Sequence, residues 1–242
     1  MENKNKQLKK LRDLIVDFVA EAVELENLSL DYKSTYEIIY RYKQSKNKYT
    51  HNQIEAVNGA LKAYTYVKET LVKNENVKFE TATLKYINFL VDKYEEEDFG
   101  VDERAGEWKK YQGYVTNTEY VPPLLKGSQY SEIVEKGIKG VGNFDTAIAY
   151  FAKLCKTQAF PDGNKRSALI FTNAICVQKE LPLIRIINSL EFQDELGKYY
   201  EEEKYLPKLI NYIKEKSLSH QCLQSDRECL RQDKVKKNME MK

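Results

Sequence analysis

The stretch Phe160-Pro161-Asp162-Gly163-Asn164-Lys165-Arg166-Ser167-Ala168 decides the fold, because it joins two segments that both carry helical periodicity. Upstream, Ala147, Ile148, Phe151, Ala152 and Cys155 fall on one stripe of a helix expected over residues 144–156. Downstream, Ala168, Leu169, Phe171, Thr172 and Ile175 do the same for a helix expected over residues 165–178. Between them, Asp-Gly-Asn needs a tight turn with a residue at positive φ, which Gly163 supplies without strain. The second helix then opens with unpaired N–H groups, the positive end of its dipole, and the cations Lys165 and Arg166. That is an anion site, and phosphate is its commonest occupant. Asp162 adds a carboxylate able to hold a divalent cation carried by such a phosphate. A lone Asp-Gly-Asn turn is more often a plain capped loop; the whole nonapeptide moves the reading to a phosphate site.

Composition narrows the class. With 242 residues and 42% hydrophobic content, the chain buries a sizeable core without a staple. Its net charge of +2, with both signs interspersed, gives no dedicated nucleic-acid or membrane surface. No apolar run is long enough to span a bilayer, and the start is polar, so a cytoplasmic protein is expected. Cys155 and Cys176 lie on apolar helix faces and Cys222 and Cys229 in a polar tail, with no Cys-x-x-Cys pair, which fits reduced thiols and no structural zinc. His51 and His220 are the sole histidines, and neither has the neighbours a zinc enzyme or a Ser-His-Asp hydrolase needs.

Working outward, the first thirty residues read as an amphipathic helix (Leu8, Leu11, Ile15, Phe18, Val19, Ala22, Leu25). Tyr32, Tyr36, Ile39 and Tyr40 mark a second, followed by a basic run that reads as a solvated helix end rather than a nucleic-acid platform. Thr50 or Asn52 caps a third, with Ile54, Val57, Leu61, Tyr64, Val67 and Leu71 inward. A fourth is expected over 80–94, before the acidic cluster at 95–98. A hairpin is expected within residues 113–123, from Gly113 through Asn117-Thr118 to Pro122-Pro123. Gly137, Gly140 and Gly142 read as a Gly-rich turn, and two last helices are expected over 190–200 and 205–216. The expected organisation is an N-terminal helical extension (1–49), a main domain (50–216) and a polar, disordered tail (217–242).

The nonapeptide resembles the motif of the Fic/Doc (Fido-domain) family, His-Pro-Phe-x-Asp-Gly-Asn-Gly/Lys-Arg on a helix–loop–helix. The match is to the Doc-like variant, with Lys165 before Arg166 and Ser167-Ala168 after. One position departs: Gln158 stands where the family has its general-base His. The resemblance implies a mainly α, Fic-type helical bundle with a small β-hairpin flap. It implies a transferase using ATP or another nucleotide with Mg²⁺ to modify a hydroxyl of a protein target docked at the flap, by AMP transfer or by Doc-like phosphorylation. An antitoxin is a further candidate partner. In that frame Asp162 matches the metal ligand, Gly163 and Asn164 the anion hole and Arg166 the phosphate clamp, while Lys165, in place of the Gly of AMP-transferring members, joins them as nucleotide-binding. Leu169 replaces a second Arg found in many AMP transferases, which again favours the Doc-like branch.

Many relatives also carry an inhibitory helix with Ser/Thr four residues before a Glu that is followed by Gly or Asn. Ile54-Glu55 matches its end in part, with His51 at the Ser/Thr position and Ala56 after the Glu, so Glu55 is the candidate regulatory residue. Gln158 takes the catalytic position without catalytic protonation chemistry, since an amide accepts no proton near neutral pH. General-base help contributes about 10²–10⁴-fold, so its loss leaves slow activity rather than none. The alternatives are a catalytically inactive Fic-fold nucleotide-binding or interaction protein, and a helical adaptor in which the loop is only a cap.

Overall fold

The computed structural model describes residues 8–9, 11, 13–26, 28, 30–41, 43, 47–73, 77–92, 104–115, 118–187 and 189–219. They form helices α1 (Ile15–Glu24), α2 (Tyr32–Tyr40), α3 (His51–Lys73), α4 (Thr81–Val91), α5 (Gly127–Gly140), α6 (Phe144–Thr157), α7 (Asn164–Gln178), α8 (Ser189–Glu201) and α9 (206–219). A 3₁₀ turn, Glu203–Tyr205, joins the last two.

The architecture follows from α7. Every residue from Arg166 to Val177 is buried, the polar Arg166, Ser167, Thr172 and Asn173 included. Helices α6, α4, α3 and α1 pack around it. The helix that starts at the motif is therefore the axis of the bundle, and the motif loop lies at one end of that axis.

Local signals set the other elements. Asp31 accepts the N–H of Ser34 at 2.8 Å to cap α2. Thr50 and Gln53 form a reciprocal cap on α3, Gln53 N to Thr50 Oγ1 at 3.2 Å and Thr50 N to Gln53 Oε1 at 3.0 Å. Helix α1 buries Phe18, Val19, Ala22 and Val23 in the common core. On the same helix Glu21 faces Arg185, which is 2% exposed. Arg185 donates through Nε at 2.7 Å, and also through Nη2, to Glu21 Oε1, while Ile186 N donates to Oε2 at 3.0 Å. The Arg185 guanidinium also lies over the Phe18 ring. Burial pushes the Glu21 carboxyl up, against the pull of Arg185.

Three expectations change. Helix α5 occupies the region read as a Gly-rich turn. Its Gly137 is there for space: a Cβ would sit 1.9 Å from the Tyr150 ring, so the glycine admits that ring between α5 and α6. Ser217, placed at the head of a disordered tail, is fully buried in α9, and its hydroxyl accepts the N–H of Arg185 at 3.0 Å. Residues 220–242, with Cys222 and Cys229, lie outside the described residues, as do Tyr94 and the acidic cluster. No strand occurs among the described residues; Thr116 and Asn117, the turn of the expected hairpin, are outside them. Its two arms are bridged by a side chain instead, Gln112 Nε2 donating to the carbonyl of Pro122.

Candidate functional site

The loop between α6 and α7 is held by its own polar side chains. Asn164 Oδ1 accepts the Phe160 N–H at 2.9 Å, and its Nδ2 donates to the Phe160 carbonyl at 2.9 Å. Gly163, at φ 69°, is the left-handed turn residue that the sequence demands. Its N–H donates to Asp162 Oδ1 at 2.6 Å. Beneath the loop, the fully buried Asn88 of α4 donates to the Asp162 carbonyl (2.8 Å) and to Ser167 Oγ (3.1 Å), and accepts the N–H of Gly106 (2.8 Å). Trp108 stacks on Phe160 at 4.9 Å. A buried amide that satisfies three partners ties the loop to α4 and to Gly106.

This scaffold leaves the first turn of α7 open. Among the described residues, no acceptor meets the N–H groups of Asn164, Lys165 and Arg166, the orphan donors of a helix start. Donors of this kind are able to hold an anion. The side chain of Asn164 is used in the loop, so the contribution of this residue to an anion is its backbone. Lys165 stands half-buried at the corner.

Arg166 is more engaged than a waiting clamp. Its side chain is 6% exposed. Nε donates to Glu26 Oε1 at 3.1 Å, Nη1 to the Val91 carbonyl at 2.8 Å, and Nη2 lies 3.8 Å from Asp162 Oδ2. Asp162 and Arg166 line a pocket of about 310 Å³ together with Glu26, Glu55, Asn52 and Asp92. Glu55 thus lines the pocket, but the carboxylate hydrogen-bonded to the arginine is Glu26, from just beyond α1. The sequence held a signal for it: Glu26-Asn27 is a Glu followed by Asn, the pattern sought at Glu55, with Ala22 four residues earlier. His51, at the exposed start of α3, lines neither pocket.

Gln158 lies on the other side of the loop. It ends α6 in the left-handed conformation, φ 45° and ψ 55°, a strained setting for a residue with a Cβ. Its Nε2 donates to the Cys155 carbonyl at 2.7 Å and to Tyr200 Oη at 3.4 Å. Tyr200 Oη donates to the same carbonyl at 3.2 Å, and burial holds the phenol well above its usual range. Both contacts use the NH₂ group, which leaves Oε1 as the acceptor that Gln158 offers. Gln158 lines a second pocket, of about 80 Å³, with Tyr111, Gln112, Tyr114, Phe160 and Pro161. The loop therefore separates a larger charged pocket from a smaller aromatic one. Tyr120, stacked on Tyr200 at 5.3 Å with its hydroxyl on the Lys156 carbonyl, fixes the second arm beside it.

Magnesium keeps several waters and binds through one or two carboxylates plus phosphate. Asp162, its side chain 55% exposed at the pocket, fits that mode of binding. Among the described residues no three His, Cys, Asp or Glu side chains converge to hold an ion unaided. Leu169 is fully buried in the core, so its position presents nothing to the pocket.

Comparison with known proteins agrees with this geometry. The sequence profile of the Fic/DOC family matches residues 36–176. Among solved structures, the chain is similar to a Fic domain containing signaling protein from Bacteroides thetaiotaomicron (TM-score 0.66, 14% identity, 86% of this chain and 84% of that one). It is also similar to Fic-1 from C. elegans (0.67, 17%, 93% and 73%) and to a Fic family protein from Desulfovibrio desulfuricans (0.51, 11%, 90% and 74%). No curated protein sequence matches. A helical bundle built on this helix–loop–helix defines the class, and the chain belongs to the Fic/DOC family.

Proposed function

We propose that this protein is a nucleotide-dependent transferase that modifies a hydroxyl of a protein target, and that Glu26 holds it in a restrained state. The observation that carries this reading is the pair of pockets on either side of one loop, Asp162 and Arg166 facing one and Gln158 the other. A transfer between two substrates needs a place for each, with their reacting atoms in contact at the loop. On the nucleotide side, the backbone N–H groups of residues 164–166 and the Arg166 guanidinium bind and neutralise phosphate oxygens. Asp162 would hold the nucleotide's Mg²⁺, which supplies charge neutralisation at the transferred group. On the target side, Gln158 orients the attacking hydroxyl through Oε1 but keeps no proton. Lys165 and the buried Leu169 favour phosphoryl over AMP transfer, and a loose phosphoryl-transfer transition state leans less on a base.

Glu26 sits where a phosphate would meet Arg166, so nucleotide binding must displace it. The target docks along residues 113–123, and an antitoxin is a candidate for the same face. Work in the cytoplasm is in keeping with the buried free thiols Cys155 and Cys176, and no described helix is long and apolar enough to cross a membrane. Gln158 favours a second reading, a nucleotide-binding protein that has lost transfer.

The test is incubation with Mg²⁺ and ATP labelled at the α- or γ-phosphate, beside a cell lysate. Label from γ alone is expected on protein; label from α means AMP transfer. ATP binding without label, lost in a folded Arg166→Ala variant, selects the second reading. No binding, even with Glu26 replaced by Gln, sinks both.

A further inference from the structure

Helix α2 carries an aromatic face, and no residue of α2 lines either pocket. Tyr32, Tyr36 and Tyr40 recur every fourth residue and are 51%, 38% and 58% exposed. Thr35 and Ile38 are buried where the helix packs on α1 and α3. The three rings form one ladder: Tyr32 stacks on Tyr36 at 6.4 Å, and Tyr36 meets Tyr40 at 4.8 Å. Eight residues of helix make it about 12 Å long. A contiguous exposed aromatic face of this kind marks a binding surface.

Cations border the ladder. The Arg41 guanidinium lies 6.0 Å from the centre of the Tyr36 ring, and Lys33 and Lys43 are exposed beside it and just beyond its end. The only carboxylates from residue 31 to 50 are Asp31 and Glu37, and both are engaged. Asp31 caps α2 through Ser34 N, while Glu37 takes the Lys48 ammonium at 3.1 Å and the Tyr49 hydroxyl at 2.9 Å. In the sequence this basic run reads as a solvated helix end; in the fold it flanks flat rings. A second copy of the chain would bring like charges together at this face, and an acidic peptide would leave the rings uncovered. A single-stranded nucleic acid meets both features, with bases stacked on the rings and phosphates on the cations. A duplex keeps its base faces inside its own stack. We propose that the tyrosine ladder of α2 is a docking surface for single-stranded nucleic acid, with bases on Tyr32, Tyr36 and Tyr40 and phosphates toward Lys33, Arg41 and Lys43. Such docking is independent of transfer chemistry at the motif loop.

The experiment follows the fluorescence anisotropy of a labelled oligothymidylate or oligouridylate with the full chain, beside a duplex of the same length, polyglutamate and a proline-rich peptide. Either single strand should bind at least about tenfold more tightly than duplex or polyglutamate. With three cations engaged, affinity should fall about twentyfold between about 50 and 200 mM salt, and Lys33→Ala together with Lys43→Ala should reduce that fall to about threefold. Tyr40→Ala should weaken binding about fivefold or more, and Tyr40→Phe, which keeps the ring, should restore it. Tyr86→Ala, at an exposed tyrosine of α4, should leave the affinity unchanged. Equal affinity for duplex or polyglutamate overturns the proposal, because charge alone then suffices. Unchanged affinity in both Tyr32→Ala and Tyr40→Ala overturns it as well. Binding of the proline-rich peptide alone assigns the face to a protein partner instead, and no binding of any probe removes the docking surface.

Discussion

Two buried arginines meet carboxylates from the same stretch of chain, five residues apart, and the pairs differ in almost everything else. Arg185, 2% exposed, holds Glu21 through two donors, with Ile186 N on the second oxygen, Phe18 against the guanidinium and Asp17 at 4.0 Å. Arg166 holds Glu26 through one 3.1 Å contact, and the Glu26 side chain is 21% exposed on a pocket of about 310 Å³. Its remaining charge is met by Val91 O and Asp162. A desolvated, multiply bonded pair resists separation, while a single contact at a wet edge is worth little and exchanges readily. The Glu21 pair staples α1 into the core. The Glu26 pair can act as a latch because the staple next to it keeps α1 in place whether the latch is open or closed.

The largest effect should come from cutting the staple. Glu21→Ala leaves a buried guanidinium without its main partner, which costs about 3–5 kcal/mol. For a chain of this size, that lowers the thermal midpoint by roughly 6–20 °C. Differential scanning calorimetry reads it directly, and a drop below about 3 °C would mean that the pair contributes no more than a surface bridge.

Glu26→Gln should behave in the opposite way. Arg166 keeps two acceptors, so stability should move by less than about 1 kcal/mol. ATP affinity should rise about tenfold or more, since the carboxylate that occupies Arg166 is gone and a tenfold change needs only about 1.4 kcal/mol. Titration calorimetry with Mg²⁺-ATP measures it, and unchanged affinity would show that Glu26 does not compete with phosphate. The two substitutions thus separate a stability residue from a site residue on adjoining turns of one segment.

Local rules made much of this legible in the chain and left the pairings out of reach. The helices around the motif were readable because apolar residues recur every three to four positions up to an Asp-Gly-Asn corner that needs a positive φ. Helix α5 was not, because Gly137 and Gly140 look like turn residues, and the reason for Gly137 is a Tyr150 ring thirteen residues away. The open N–H donors from Asn164 to Arg166 were readable, since they belong to one helix start. The pairing of Arg166 with Glu26 joins residues 140 apart, and support by Asn88 joins the loop to α4. Neither carries a periodicity. Gln158 was visible as a missing base, but its left-handed backbone and its bond to Tyr200 arise only when α8 packs against the end of α6.

The smallest expected effect separates a latch from a generally acidic pocket. Glu55 and Glu26 line the same cavity, and each places one carboxylate in it. If phosphate were repelled only by the total charge, Glu55→Gln and Glu26→Gln would raise ATP affinity alike, because each removes one charge at short range. A latch predicts inequality: the ion pairs of Arg166 are with Glu26 and Asp162, so only Glu26 must leave for a phosphate to enter. Glu55→Gln should then change ATP affinity less than about twofold. An increase equal to that of Glu26→Gln would assign the restraint to the field of the pocket. An increase larger than it would make Glu55 the controlling carboxylate, with Glu26 only holding the arginine in position. Measured in parallel on the same nucleotide, the two variants decide whether the contact or the charge restrains the site.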